Sequence, residues 1–596
     1  MSFYTTPGVP MNELVIDFLE LAAQQPSAVA VIVADEVAAS YAELADKVHR
    51  VARALSSVAP ASDCEYGPGV AIITDSPVDL LAGMLGARLA GWWYLPTDPV
   101  QPAARIDHFL DTARCQAIIA SEPGVSSARS AVPVLVVSEL PAADPADRVD
   151  LSRAGAADTD LQYILFTSGS TGSPKGAGVR SGAFLRLVRW YRELLEVRAD
   201  DRVLIVSSPG FDLTQKNYWA PLSAGAAIVF PDRLGQFDPR RIQAVTQRWN
   251  PTLLNCAPSA FFAIAEWPSL WCPNLRSLVL GGERIDRARL GSWAAASGFS
   301  GSVINGYGPT ECSAVVAAGT LPADSLQPVC GSELYVVGPD WREAPPGVAG
   351  ELWIGGSPVG TGYVSNPVQT AHRFVACLRR PGELAFRSGD LAVSETDGSV
   401  RILRRIDPTD VKVSGVRIDL NELSDALVET GAAREAVAFV GIDRRRRTKL
   451  AAVISPEVPD FIAVRRALIT RVPTSYVPSA LASIEAFPRT VSGKSDRRAA
   501  AQQAADLLGL ELVQPPQAEQ EHCFLVLRSG PSYSIWRESS PLPPGWEVVM
   551  GPLPLDHAVD IIARSGPVAT SGSVATSGSP AVRVPVRASL SVALAG

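Results

Sequence analysis

The chain has 596 residues, of which 47% are hydrophobic and 19% charged, and a formal net charge of −8 at pH 7. This mixture is typical of a globular protein that buries large cores. The acidic balance argues against nucleic acid or an anionic membrane as a partner, so neither is predicted.

Scarce residue types disfavour several further classes of function. Eight cysteines show no CxxC spacing, and five histidines show no HExxH spacing, which disfavours zinc sites and histidine-based triads. The opening MSFYTTPGVPMNEL lacks the features of a signal peptide, and no apolar run reaches the ~18 residues that span a bilayer. A cytoplasmic protein is therefore predicted.

The elements alternate from the start of the chain. Helix-like stretches such as NELVIDFLELAAQ and YAELADKVHRVARAL are separated by short apolar runs such as VAVIVA, GVAIIT and CQAIIA. This alternation predicts an α/β fold with largely parallel sheets, continuing to SVINGYG. From about 330 to 405 the pattern becomes β-rich, and from Asp407 to about Ala500 it predicts a compact α+β lobe.

One loop is rich in Gly, Ser and Thr. The stretch FTSGSTGSPKGAGV runs from Phe166 to Val179 and follows the apolar run LQYILF. Backbone N–H groups of such a loop can approach phosphate oxygens, and Lys175 would add a charge. The spacing does not fit GxxxxGK[ST], so by itself the stretch is either a phosphate loop or a linker.

Further motifs follow in a fixed order. They are GWWYLPTDP (91–99), NGYGPTECSA (305–314), GELWIGGSPVGTGYVSNPVQTAHRFV (350–375), RSGDLAV (387–393), RRIDPTDVKVSGVRIDLNEL (404–423) and RTVSGKSDRR (489–498). Singly, their acids and lysine could be ordinary surface or turn residues. Together they resemble the adenylate-forming enzymes over about residues 10–500, above all the amino-acid-activating adenylation domains of nonribosomal peptide synthetases.

The resemblance implies a reaction that joins a carboxylate to the α-phosphate of ATP, with Mg²⁺ and release of pyrophosphate. Lys494 would bridge the carboxylate and the α-phosphate, and Glu311 would be the metal ligand. The implied catalytic set is Lys494, Glu311, Thr310 and Lys175. The implied ATP-binding set, from phosphate loop to adenine and ribose, is Thr167, Ser168, Gly169, Ser170, Thr171, Gly172, Asn305, Tyr307, Asp390 and Arg405.

The family has a hinge where Asp407 stands, about which a small lobe turns between two half-reactions. The alternative face of that lobe, offered to a carrier thiol, would surround Gly415. RIDPTDVKVSG carries one residue more than the family pattern, and Pro408 restricts Asp407 toward extended geometry. The extra residue leaves the details of the rotation open.

FDLTQKNYW (211–219) matches the family's substrate segment, in which Asp212 would pair with an α-ammonium group. A buried Lys216 is costly unless paired, so a carboxylate or carbonyl on the substrate side chain is one hypothesis, and pairing within the protein is the other. The implied pocket is Asp212, Leu213, Lys216, Asn255, Val279, Gly281, Gly306, Ala314 and Val315.

A small unit near the C-terminus, beginning EHCFLVLRSGPSYSIW and containing PPGWEVVMG, resembles an MbtH-like protein, a class that binds and activates adenylation domains. The resemblance implies an interface of Ser534, Trp536 and Trp546 around Ala376, formed within one chain. The unit is shorter than its family, so a vestigial role stays open.

These observations predict five segments: a core lobe (1–407), a small lobe (408–500), a linker (501–520), an MbtH-like domain (521–564) and a disordered tail (565–596). No carrier segment with an attachment serine follows Lys494, so a carrier protein acting in trans is predicted as partner, in natural-product biosynthesis. The alternatives are an acyl- or aryl-CoA ligase and a decayed, non-catalytic scaffold.

Overall fold

A computed structural model gives the fold. It describes residues 13–60, 66–121, 132–142, 160–167, 174–235, 237–265, 272–406, 410–413, 416–456, 460–488, 497–513, 523–529, 532–554, 557–558 and 561–562.

Thirteen helices in the described residues are numbered in chain order: α1 Glu13–Gln24, α2 Tyr41–Ser57, α3 Pro77–Leu89, α4 Ala103–Ala113, α5 Ser181–Leu194, α6 Asp212–Leu222, α7 Pro239–Trp249, α8 Pro258–Ile264, α9 Arg287–Ser297, α10 Pro367–Arg373, α11 Leu420–Glu429, α12 Phe461–Ile469 and α13 Arg497–Leu508. The strands of the first 330 residues are β1 Val29–Val33, β2 Glu36–Ser40, β3 Gly69–Ile73, β4 Trp93–Thr97, β5 Ala117–Ala120, β6 Val134–Val136, β7 Leu161–Thr167, β8 Lys175–Arg180, β9 Arg202–Leu204, β10 Ala227–Phe230, β11 Leu253–Cys256, β12 Ser277–Gly281, β13 Ser302–Tyr307, β14 Ala317–Thr320 and β15 Gln327–Pro328. The later strands are β16 Ser332–Val337, β17 Ala349–Gly356, β18 Phe374–Ala376, β19 Leu384–Ser394, β20 Val400–Arg405, β21 Asp410–Val413, β22 Val416–Asp419, β23 Glu435–Ile442, β24 Thr448–Ser455, β25 Ala480–Ser483, β26 Glu511–Leu512, β27 Cys523–Ser529, β28 Ser532–Arg537 and β29 Glu547–Pro554.

Two large sheets form the core lobe, as the α/β pattern predicts. A six-stranded sheet has the order β6-β5-β3-β4-β7-β8, and a nine-stranded sheet has the order β15-β14-β13-β12-β11-β9-β10-β1-β2. Strands β3, β4, β5 and β7 pair in parallel, whereas β7 and β8 form an antiparallel hairpin. In that hairpin Thr167 pairs with Lys175, so both residues stand at the base of the Gly/Ser loop.

Helix α6 lies in the core that the large sheets share and is buried along its whole length. Five of its buried side chains are polar or charged, which a purely structural helix would avoid because polar groups are costly to bury. These side chains are Asp212, Thr214, Gln215, Lys216 and Asn217. The composition of α6 therefore indicates a functional helix.

A five-stranded antiparallel sheet follows, with the order β16-β17-β19-β18 and β20 paired to β19. Its main irregularity lies between β17 and β19, where Glu351 pairs with Leu391 and Trp353 pairs with Arg387. One residue of β17 thus faces three of β19, Ser388 to Asp390. The resulting bulge turns the backbone just before Asp390.

The small lobe contains a four-stranded sheet (β25-β24-β23-β26) and the hairpin β21–β22. It extends further than predicted, because α13 packs on that sheet and β26 pairs with β23. Residues 501–513, assigned above to the linker, thus belong to the small lobe, since their Ala and Leu side chains complete its core. None of the helices that the structure describes is long and apolar enough to cross a membrane.

Strands β27, β28 and β29 form a separate three-stranded sheet in the order β28-β27-β29. Its apolar residues share one buried cluster with residues of the five-stranded sheet, including Trp353, Ala376 and Trp536. Here the three-stranded sheet with residues 557–558 and 561–562 is named the C-terminal unit. The predicted tail, 565–596, lies outside the described residues.

Candidate active site

Asp212 and Thr310 meet at the end of the nine-stranded sheet. Asp212 begins helix α6, and Thr310 begins a 3₁₀ turn that follows β13. The Thr310 hydroxyl donates to Asp212 Oδ2 at 2.6 Å, and Asp212 is 7% exposed. The residue predicted to hold an α-ammonium group is therefore next to a member of the predicted catalytic set.

Asp390 lies on the other side of Tyr307. The Tyr307 hydroxyl donates to Asp390 Oδ2 at 2.5 Å, and Arg405 Nη1 lies 3.1 Å from the same oxygen. Burial raises the pKa of Tyr307 well above its usual range, and the neighbouring Asp390 carboxylate adds to this shift, so the phenol stays a donor. Asn305 is two residues before Tyr307 on β13 and so faces the same side of the strand.

Glu311 is fully buried and paired. Arg417 of hairpin β21–β22 approaches Glu311 Oε1 at 3.0 Å, and the Tyr363 hydroxyl donates to the same oxygen at 2.5 Å. Burial raises the pKa of Glu311, but the Arg417 charge and the Tyr363 hydrogen bond outweigh burial and lower the pKa overall. A cation of the small lobe therefore neutralises an anion of the core lobe inside the site.

The predicted phosphate loop runs from Thr167 to Lys175, which are the paired ends of the β7–β8 hairpin. Lys175 Nζ donates to Gln369 Oε1 at 2.8 Å and lies 5.5 Å from the centre of the Tyr363 ring. Burial, assisted by the charges of Arg373 and Arg417, lowers the pKa of Lys175 to about 8. Five predicted loop residues lie outside the described residues: Ser168, Gly169, Ser170, Thr171 and Gly172.

The predicted substrate-pocket residues gather where α6 crosses the ends of β11, β12 and β13. Asn255 pairs with Val279, and Gly281 pairs with Gly306, across neighbouring strands. Leu213 lies within 3.4 Å of the position that a Cβ on Gly281 would take. The described members, all buried, are Asp212, Leu213, Lys216, Asn255, Val279, Gly281, Gly306, Ala314 and Val315.

Lys216 has no exposed surface and bonds within the protein. Its Nζ donates to the carbonyl of Leu213 at 2.8 Å and lies 5.4 Å from the centre of the Tyr191 ring. Burial lowers the pKa of Lys216 to about 7, against a smaller raising effect from Asp212. The contacts of Nζ in the described residues are thus a carbonyl and a ring face of the protein, and both hypotheses for Lys216 remain predictions.

Two cavities adjoin these groups. The smaller is lined by side chains of both lobes, among them Asp212, Tyr307, Asp390, Arg405, Lys412 and Arg417. The larger, of about 530 Å³, passes from Asp212 and Thr310 along Phe211 to Arg417 and Tyr476 of the small lobe. A second ion pair, Arg105 with Glu422 at 2.8 Å, also joins the lobes beside it.

Sequence reasoning missed the partners of the predicted residues. Arg417, Lys412, Tyr363 and Gln369 all lie within quoted motifs, but only the fold brings them to Glu311, Asp390 and Lys175. Lys494, Asp407 and Gly415, predicted as catalytic residue, hinge and thiolation face, lie outside the described residues. Lys412 of β21 and Arg417 of β22 do line the smaller cavity.

The predicted interface of the C-terminal unit forms a contact with the core lobe. The Ala376 N–H donates to Ser534 Oγ at 2.8 Å, and Ala376, Trp536 and Trp546 belong to one buried cluster. Sequence reasoning did not single out Trp341, whose ring packs edge-on against Trp353 and Trp536, each at 5.2 Å between ring centres.

Known proteins share this architecture. A solved structure of holo-PA1221, described as an NRPS protein with adenylation and PCP domains, superimposes with a TM-score of 0.69 at 25% identity, covering 83% of this chain and 84% of that one. A Vibrio cholerae adenylation domain, AlmE, solved with glycyl-adenosine-5'-phosphate, gives 0.69 at 21% identity over 84% of this chain and 99% of that one, a similarity of fold.

Sequence relatives are far longer than this chain. Gramicidin S synthase 2 of Brevibacillus brevis is 30% identical over 87% of this chain, which spans 12% of that protein. The dimodular nonribosomal peptide synthase of Bacillus subtilis is 31% identical over 78% of this chain, which spans 20% of it. The family model "AMP-binding enzyme" matches residues 18–364. The chain thus belongs to the AMP-binding enzyme family, and its sequence is similar to parts of nonribosomal peptide synthetases.

Proposed function

We propose that the chain activates an α-amino acid as its aminoacyl adenylate and transfers it to the phosphopantetheine thiol of a separate carrier protein. One observation carries the proposal: Asp212 and Asp390 line the same small cavity, with Thr310 and Tyr307 between them. The first carboxylate suits an α-ammonium group and the second suits ribose hydroxyls. An amino acid and a nucleotide would therefore meet near Thr310.

In the first step a substrate carboxylate oxygen attacks the α-phosphorus of ATP. The bond from that phosphorus to its bridging oxygen breaks, and pyrophosphate leaves. Two anions must approach each other, so the main task is neutralising and orienting charge. Asp212 would orient the amino acid, Lys494 would bridge the two reacting groups, and Lys175 would hold the departing phosphates.

A Mg²⁺ ion would supply further neutralisation of the phosphates. The described residues contain no group of three or more acidic, histidine or cysteine side chains able to hold a metal. Glu311 fits the usual arrangement in which Mg²⁺ takes one carboxylate and several phosphate or water oxygens. Arg417 compensates the Glu311 charge in the present arrangement, so metal binding there calls for hairpin β21–β22 to withdraw.

The larger cavity supports transfer to a carrier. In the second step the thiol sulfur attacks the adenylate carbonyl, a thioester forms, and AMP leaves. A phosphopantetheine arm is long and narrow, and the 530 Å³ cavity reaches from Thr310 to the small-lobe residues Arg417 and Tyr476. With the hairpin against Glu311, this arrangement of lobes corresponds to the transfer step, and the Lys494 arrangement would serve adenylation.

The pocket supports a substrate side chain that bears a carbonyl. Asn217 Nδ2 donates to the Leu213 carbonyl. Asn217 Oδ1 therefore accepts a hydrogen bond from Asn255 Nδ2 at 3.3 Å. Asn255 Oδ1 is then buried with no hydrogen-bond partner in the described structure. A carboxamide would accept from Lys216 and donate to Asn255 Oδ1, whereas a carboxylate would satisfy only the lysine.

The C-terminal unit would act as a built-in MbtH-like activator. This proposal is supported by the Ala376–Ser534 hydrogen bond and by the shared burial of Ala376 with Trp536 and Trp546. Such a unit would keep the five-stranded sheet folded and its bulge in position.

The test is ATP–pyrophosphate exchange with Lys494→Ala, set beside Lys449→Ala as a matched small-lobe control. We expect Lys494→Ala to reduce exchange by about a thousandfold, the scale of losing a group that stabilises transition-state charge, while the control retains it. Full exchange by Lys494→Ala would refute its role. Activation of only acids that lack an α-amino group would favour the acyl- or aryl-CoA ligase.

A further inference from the structure

A charged pair lies directly beneath the aromatic contact with the C-terminal unit. Arg387 Nη2 is 2.8 Å from Glu351 Oε2, and the guanidinium lies 5.1 Å from the centre of the Trp341 ring. The Trp353 indole N–H donates to the same Glu351 oxygen at 3.1 Å. Both tryptophans pack edge-on against Trp536, which has no exposed surface. The unit thus contacts both of the tryptophans that touch this ion pair.

The other carboxylate oxygen of Glu351 bonds the backbone next to Asp390, the residue proposed to bind ribose. Glu351 Oε1 accepts the backbone N–H of Gly389 at 3.2 Å, in the middle of the β19 bulge. Gly389 has a φ of +72°, and a Cβ there would stand 2.9 Å from Arg373 Nη1, so this backbone geometry suits glycine. The next residue is Asp390. One carboxylate therefore bonds the interface tryptophan through one oxygen and the bulge through the other.

The groups around Glu351 favour its ionised form. Burial raises the pKa of Glu351, but the charge and hydrogen bonds of Arg387, with the Trp353 donor, outweigh burial and lower the pKa overall. The Arg387 and Glu351 side chains are 23% and 13% exposed, so the pair is largely shielded from water and each charge compensates the other. The pair contacts Trp341 through Arg387 and Trp353 through Glu351, and both rings pack against Trp536 of the C-terminal unit.

We propose that Glu351, held between Arg387 and the interface tryptophans, is a positioning residue through which the C-terminal unit orients Asp390 for the ribose of ATP. Glu351 acts through the Gly389 backbone and does not itself contact nucleotide. The inference rests on the proposed function in one respect, since it takes Asp390 as the ribose ligand. It gives the C-terminal unit a specific effect, on nucleotide affinity, that differs from general stabilisation of the core lobe.

The test is a double-mutant cycle between Glu351→Gln and Trp536→Phe in the full chain, with ATP binding measured by calorimetry without amino acid. Glu351→Gln keeps the side-chain shape and loses the charge, and Trp536→Phe keeps an aromatic ring. We expect each to raise the Kd for ATP about tenfold and the double variant to raise it little further, because linked residues are non-additive. Ser540→Ala is the matched control, since Ser540 Oγ bonds the Asp340 carbonyl at the same interface, away from Glu351.

Steady-state kinetics distinguish a positioning role of Glu351 from a general effect on protein stability. We expect the KM for ATP to rise in Glu351→Gln with kcat and the KM for the amino acid nearly unchanged, and Glu351→Asp to restore part of the affinity. Independent effects that multiply in the double variant, or an unchanged Kd in Glu351→Gln, would overturn the inference. Wild-type chain that does not bind ATP would instead contradict the proposed function itself.

Discussion

The core lobe meets the small lobe mainly through charges. Arg417 pairs with Glu311 and Arg105 pairs with Glu422, both beside cavities. Toward the C-terminal unit the core lobe presents instead Trp341, Trp353 and Ala376 in one apolar cluster. A shielded ion pair can exchange one partner for another charged group, such as a phosphate or a metal ion, whereas an aromatic cluster opens only by exposing its apolar surface to water. The first contact thus suits a lobe that moves during the cycle, and the second suits a unit that stays in place.

The largest effect is expected from a charge in the apolar contact. Ala376→Glu would bury a carboxylate in the apolar cluster that holds Trp536, at a cost of about 3–5 kcal/mol. We expect loss of soluble protein or release of the C-terminal unit, measured by yield and limited proteolysis. Val348→Glu, at a position 50% exposed, is the control. Unchanged yield and proteolysis in Ala376→Glu would show that this contact does not hold the unit.

Removing the charged contact between the lobes is expected to affect the two half-reactions differently. Arg417→Ala removes the cation paired with Glu311, so the arrangement described here loses stability while adenylation keeps its own contacts. We expect aminoacyl transfer to a carrier to fall by about a hundredfold, or ~2.7 kcal/mol, with pyrophosphate exchange nearly retained. Arg404→Ala, an exposed arginine, serves as the control. Equal losses in both assays would contradict the assignment of this arrangement to transfer.

A pH effect is expected at the phosphate loop. The pKa of Lys175 is lowered to about 8, so its positive charge is present below pH 8 and is lost as the pH rises through that value. We expect ATP affinity to weaken between pH 7.5 and 9.5, by about tenfold, and the profile of Lys175→Arg to stay flat. Matching profiles for the two proteins would show that Lys175 does not bind the phosphates.

A second pH effect, on stability and not on ATP affinity, is expected at Lys216. Its pKa is about 7 in the folded chain and 10.5 when unperturbed, so the unfolded chain binds the additional proton between these values. The difference in the free energy of unfolding between the wild-type chain and Lys216→Met therefore changes in this window. The wild-type value rises with pH relative to that of the variant, by at most ~1.4 kcal/mol per pH unit. Denaturation of both proteins at pH 7, 8 and 9 measures this difference. A constant difference would contradict the burial of a neutral lysine.

Much of the site was predictable because its motif residues lie in strands or just after them. Tyr307 ends β13, Thr310 comes shortly after it, and Asp390 lies in the bulge of β19, so their proximity comes from parallel and antiparallel pairing that the alternation of patterns already indicated. The partner of Glu311 was not predictable, because Arg417 reaches it from another lobe across 106 positions. The predicted linker also began too early, since Ala-rich α13 gave no local sign that its apolar face packs on β23 and β24.

The central claim is that an amino acid and ATP meet between Asp212 and Asp390. ATP–pyrophosphate exchange by the full chain, measured across the common α-amino acids and matched acids without the amino group, tests it most directly. We expect exchange with α-amino acids alone, strongest for those with a side-chain carboxamide, and loss of that exchange in Asp212→Asn. Exchange supported equally by acids that lack the α-amino group would contradict it.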